Sequence, residues 1–310
     1  MDRKTLRSLI VGPIATVPTP FDKNYRADYG RMHELTQYWV DNGILKGKGV
    51  IKVAAAMGEG PMLDDDEARA LLSTTVNAAQ DKAAIVFGLH FTDTLRTIRN
   101  AKAAQDIGAI GLQISPPIHS HPTQDDILRH FDAVSKAIDI GIMIYHTHWM
   151  PAGRIEVPTI KKLADMEKVV AFKWNHPEDV PFEAMKEFSD KLNVIDNTNN
   201  PVKSHMLGGK GFVNETMAAY PPHDLKVQAL MDAGKLDEAQ KLWDSVVIPI
   251  RAFYERTAGV SGGEGRTIKG MIHLLGHSAG VSRPPSLPLS DFEMDELRKL
   301  LVSFGWPVKS

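Results

Sequence analysis

The segment "VVAFKWNHPED", residues 169–179, carries a lysine to the end of an apolar run and then turns. An ammonium at the end of a buried strand loses most of its hydration, so Lys173 either snorkels to solvent or works with a lowered pKa. A desolvated lysine is a nucleophile toward carbonyls and forms a Schiff base. The run "IGIMIYH" (140–146) ends in the same way on Tyr145, a phenol able to move protons or hold a carboxylate. Histidines stand two apart at His119 and His121 and at His146 and His148, a spacing that places imidazoles on one strand face. No metal site is expected from them. If Tyr145 faces inward, His146 faces away, and "HSHP" reads as a loop.

Eight short apolar runs would position these groups: 13–19, 48–56, 83–90, 109–115, 140–146, 169–174, 192–196 and 209–214. Helical patterns lie between them, among them "YGRMHELTQYWVDNG", stopped by Asn42 and Gly43, and "DDDEARALLSTTVNAAQ", opened by acidic residues. Several runs are almost continuously apolar, as parallel strands covered by helices are. The expectation is an α/β fold, a (β/α)8 TIM barrel over 1–225 with a C-terminal helical extension over 226–310, whose last helix is capped by Ser290. An open doubly wound sheet is the alternative, and no G-x-G-x-x-G turn supports it. In such a barrel the chemistry sits at the C-terminal strand ends, where Lys173 and Tyr145 would be neighbours.

Composition narrows the setting. Of 310 residues, 43% are hydrophobic and 24% charged, with a net charge of −2, so neither nucleic acid nor an anionic membrane is an expected partner. Cysteine is absent, which removes disulfides and thiolate chemistry. The opening "MDRKTLRSLIVGPIATVPTPFD" is broken by Gly12 and Pro13 rather than built as a signal core, and a cytoplasmic protein is expected.

In order along nearly the whole chain, "GPIATVPTPFD", "MGEGPMLDDDE", "ISPPIHSHPTQDDILRHF", Tyr145, Lys173, "GGKGFVN", "IKGMIHLLG" and "SRPPSLPLS" resemble the dihydrodipicolinate synthase and N-acetylneuraminate lyase family of class I, Schiff-base-forming aldolases. The resemblance implies that Lys173 forms an imine with pyruvate or a longer 2-oxo acid and that Tyr145 transfers protons beside it. It implies that the turn Ala56-Met57-Gly58 holds the substrate carboxylate through backbone N–H groups and that Val213 lies over the imine. It implies no cofactor, since the protonated imine is the electron sink, and a homotetramer with "PPIHSHP" near an interface.

The departures define the expected specificity. Two threonines usual in the family's turn are Ala56 and Met57 here, and the tyrosine usual after "PP" is replaced by Ile118 and His119. A hydroxyl relay is thereby lost. His90 stands where a small residue is usual, and "HTHWMPAGR" reads as an insertion, so the pocket is expected to be rebuilt with imidazole and indole. His90, His119 and His148 are candidate substrate contacts. Trp149 and Trp174 could line the pocket or pack the rim, and for Trp174 packing is favoured because Lys173 takes the inner face. The expected function is an aldolase or dehydratase acting on a 2-oxo acid, not the lysine-pathway synthase. The rival is a catalytically idle barrel serving in ligand binding or regulation, against which the retention of both Lys173 and Tyr145 argues.

Overall fold

The protein is described by a computed structural model covering residues 1–90, 92–150 and 152–309. Eight parallel strands, β1 (Gly12–Thr16), β2 (Val50–Val53), β3 (Ala84–Leu89), β4 (Gly111–Ile114), β5 (Gly141–Tyr145), β6 (Val169–Trp174), β7 (Asn193–Asp196) and β8 (Gly211–Val213), pair in sequence order and close, β8 returning to β1. Every strand residue is buried, which is why the runs are apolar throughout rather than alternating. This is the (β/α)8 barrel expected, followed by the helical extension.

The barrel helices are α1 (Arg3–Leu9), α2 (Tyr29–Asp41), α3 (Asp65–Ala79), α4 (Thr94–Ile107), α5 (Gln124–Ala137), α6 (Val157–Leu163), α7 (Pro201–Met206) and α8 (Thr216–Ala219). Their starts are written locally. Asp64 and Glu67 form a capping box on α3, Thr123 and Asp126 another on α5, and Asp93 caps α4. Helix α2 stops where Gly43 takes a φ of +99°. A 3-10 helix, Phe182–Glu187, replaces an α-helix between β6 and β7. Helix α1 lies against the N-terminal end of the barrel, where Leu6 and Ile10 are fully buried. The Ile10 side chain enters space left by Gly111 and Gly141, each of whose Cβ positions would come within 3.0 Å of Ile10 Cδ1.

The extension comprises α9 (Pro221–Asp232), α10 (Leu236–Ala258), α11 (Gly265–Leu274) and α12 (Asp291–Ser303). Ser290 and Glu293 form the capping box of α12. Helix α11 is almost wholly buried between α8 and α12, and its leading turn faces the C-terminal mouth of the barrel.

Candidate active site

Strand β6 turns successive side chains to opposite faces. Phe172 and Trp174 point outward, where Trp174 is fully buried against Phe172, Phe188 and the stacked rings of His146 and His176. Lys173 therefore points into the barrel, 4% exposed, with Nζ 4.2 Å from the centroid of the Tyr145 ring. The two residues are register partners across β5 and β6. Burial pulls the Lys173 ammonium down to about 8, opposed by the carboxylates of Glu264 and Glu215. About a tenth is thus free amine at pH 7, hundreds of times more than in an ordinary lysine, and this is the form that attacks a carbonyl. Burial, reinforced by Glu264, pushes the Tyr145 phenol above its ordinary value, so it keeps its proton.

Two further rings meet Tyr145 edge-on, His90 at 5.4 Å and Trp149 at 5.8 Å. Burial and then the charges of Lys52 and Lys173 hold His90 down at about 3, so its imidazole is neutral. Its Nε2 lies 3.4 Å from Gln113 Nε2, and Gln113 Oε1 accepts a hydrogen bond from Lys52 Nζ at 2.7 Å. Lysine, glutamine, imidazole, phenol and lysine thus form one chain across β2, β4 and the ends of β3, β5 and β6.

The turn after β2 begins with strain. Ala54 adopts a φ of +55°, and its carbonyl is approached by the backbones of Gly60 and Gly88, where a Cβ would fall 1.8 Å and 2.6 Å from the oxygen. Ala56–Gly58 then form a single 3-10 turn. This narrows the expected carboxylate cradle. The Gly58 N–H donates to the Ala55 carbonyl at 2.9 Å, leaving Ala56 and Met57 at the head of the turn, where N–H groups have no partner within the helix. Gly58 instead allows close packing, since a Cβ there would sit 2.4 Å from the Val17 carbonyl oxygen. A cavity of about 200 Å³ opens above, lined by Met57, Val213, Glu215, Arg251, Tyr254 and Glu264.

Not every candidate converges on this mouth. His119 is exposed, because the 3-10 turn Ile118–Ser120 buries Ile118 and turns the next side chain outward. His121 is exposed too. His146 is fully buried behind the strand, its Nε2 accepting from the Ile155 N–H at 3.1 Å, while His148 is half-buried 5.3 Å from it. Among the described residues no three metal-ligating side chains converge. Part of "HTHWMPAGR", Pro151, lies outside the described residues; Arg154 at its end forms a bidentate pair with Asp179 on the surface.

Among the residues that sequence reasoning missed are Lys52 and Glu264. Lys52 carries the same signal as Lys173, a lysine inside an apolar run, "GVIKVAAA". Glu264 carries none. An acid in the glycine-rich turn "SGGEGR" meets the barrel mouth only because α11 folds back over it.

The model of the "Dihydrodipicolinate synthetase family" matches residues 10–303. A 4-hydroxy-tetrahydrodipicolinate synthase of Heliobacterium modesticaldum is 28% identical over 297 residues, spanning 94% of this chain and 95% of the relative. Among solved structures, YagE, a prophage protein of E. coli K12 in complex with pyruvate, superposes with a TM-score of 0.85 at 19% identity, over 96% of this chain and 99% of that one. The chloride-inhibited dihydrodipicolinate synthase from Acinetobacter baumannii, complexed with pyruvate, gives 0.83 at 21% identity over 96% and 99%.

Proposed function

The chain belongs to the dihydrodipicolinate synthetase family, whose members are class I aldolase-type lyases, and from that premise we propose that it cleaves or dehydrates a 2-oxo acid through an imine on Lys173. The observation that carries this reading is the buried amine of Lys173, held at about 8 and lying over the ring of a protonated phenol. Attack by the amine on the 2-oxo carbon, with uptake of one proton and loss of water, gives the iminium. Tyr145 is the proton donor and acceptor within reach of that carbon, and the N–H groups of Ala56 and Met57 receive the carboxylate. Val213 closes the site from β8. His90 and Trp149, both against Tyr145, are the contacts for the rest of the substrate, whereas His119 faces away.

Relatives such as the Heliobacterium protein are named as synthases. The reading here is a different member, because Ala56 and Met57 bring no hydroxyl beside Tyr145 and His119 does not replace one. Loss of one acid–base participant lowers a rate by about 10² to 10⁴. The test has two arms. Pyruvate with a hydride reductant should add the reduced pyruvyl mass at Lys173 and leave Lys173→Ala unmodified; a folded protein with unmodified Lys173 refutes the imine. A coupled assay with pyruvate and aspartate semialdehyde should show negligible condensation, and efficient condensation refutes the departure from the synthases.

A further inference from the structure

Another buried lysine, Lys52, starts deeper in the barrel than the reactive pair. Lys52 is aligned with Val86 on β3, while Gln113 is aligned with Gly88, two residues closer to the mouth, and with Met143 on β5. Two residues closer again stand Tyr145 and its partner Lys173. The Lys52 side chain climbs to the level of Gln113, where Nζ donates to Oε1, so its amine ends at the floor of the site. Lys52 is 1% exposed, with Gln113 as its hydrogen-bond partner, and among the described residues it forms no ion pair. A buried amine with unused hydrogen-bonding capacity is costly to keep, and an apolar side chain would fill the same space without that cost.

The titratable groups around it are Lys173 on β6, His90 beyond Gln113, and Glu264 at the head of α11. Burial first and Lys173 second drive Lys52 well below the usual lysine range, while Glu264 opposes them. In the empty site the ammonium form is therefore disfavoured relative to that of an exposed lysine. A 2-oxo acid brings a carboxylate, and the Ala56 and Met57 N–H groups that await it sit on the continuation of the strand that carries Lys52.

We propose that Lys52 is the charged partner of the substrate's C1 carboxylate, selecting 2-oxo acids over uncharged carbonyl compounds and taking up a proton from solvent as the acid binds. The neutral amine, one proton and the carboxylate become an ammonium–carboxylate pair. This rests on the reading of the substrate as a 2-oxo acid but not on imine formation.

Calorimetric titration of Lys173→Arg, which keeps a cation beside Lys52 but forms no imine, with pyruvate in buffers of different ionisation enthalpy separates binding from imine chemistry. Proton uptake of up to one per site is expected, with affinity weakening as pH rises from 6 to 9. Adding Lys52→Met should abolish the uptake and weaken pyruvate by about tenfold or more, as for loss of one charge-assisted hydrogen bond, while leaving the affinity for uncharged pyruvamide unchanged. Should Lys52→Met alone fold poorly, Lys52→Met with Gln113→Leu removes both polar partners and reads the same quantities. Unchanged pyruvate affinity and proton count in either variant, or a pH-independent affinity with Lys52 intact, overturns the proposal. Failed trapping at Lys173 in the native protein, with these results as expected, would refute the imine and leave the Lys52 site standing.

Discussion

At the scale of the residue, the reactivity of Lys173 is a contest between burial and two carboxylates. Burial disfavours the ammonium; Glu264 and Glu215 favour it, and the balance falls at about 8. The folded pKa lies below the ordinary 10.5, so free amine accumulates as pH rises through the folded value. Trapping with pyruvate at saturation should accelerate about tenfold per pH unit below that midpoint and level off above it. Replacing Glu264 with glutamine removes the larger carboxylate influence and should move the midpoint to lower pH; a midpoint that stays or rises contradicts the assignment. Lys173 and Tyr145 were legible in the sequence because a polar residue ending an apolar run has one inward direction to take. The exposure of His119 was not, because a 3-10 turn and not a strand decides where that side chain points.

At the scale of the element, the connection from β2 to α3 shows where local pattern stops being informative. Seven of the eight strands fall within their expected runs and β1 starts one residue early at Gly12, yet the run 48–56 pairs only over Val50–Val53, because Ala54 bends to positive φ and hands the chain to the 3-10 turn. That bend depends on contacts distant in sequence, with Gly88 from β3 and with α11. Glu59, which follows the turn at a φ of +63°, is buried and paired at 2.6 Å with Lys269 of α11, whose ammonium also donates to the Val281 carbonyl. Lys269→Met leaves that carboxylate buried without its partner and should destabilise the protein by about 3–5 kcal/mol in urea unfolding. Adding Glu59→Gln should recover part of the loss, and a single variant as stable as the native chain would show the pair to be dispensable.

At the scale of the whole molecule, the extension is part of the site: α11 brings Glu264 to the mouth, and Arg283 ties the tail to Glu67 of α3 and to the carbonyls of Tyr25 and Met62. The loop around His119 and His121 remains exposed on the isolated chain, the surface that the family resemblance assigns to a neighbouring subunit. Sedimentation equilibrium should accordingly give four times the 34.2 kDa chain mass, and a lone 34.2 kDa species at micromolar concentration would contradict a tetramer. The opposite end of the barrel carries a different consequence. Because Ile10 is driven into the gap beside Gly111 and Gly141, the interior is filled at that end, and Lys173 faces the mouth at the other. Whatever departs from Lys173 must leave by the doorway through which the next molecule arrives, so entry and exit share one queue, and a lingering product is itself an obstruction to traffic.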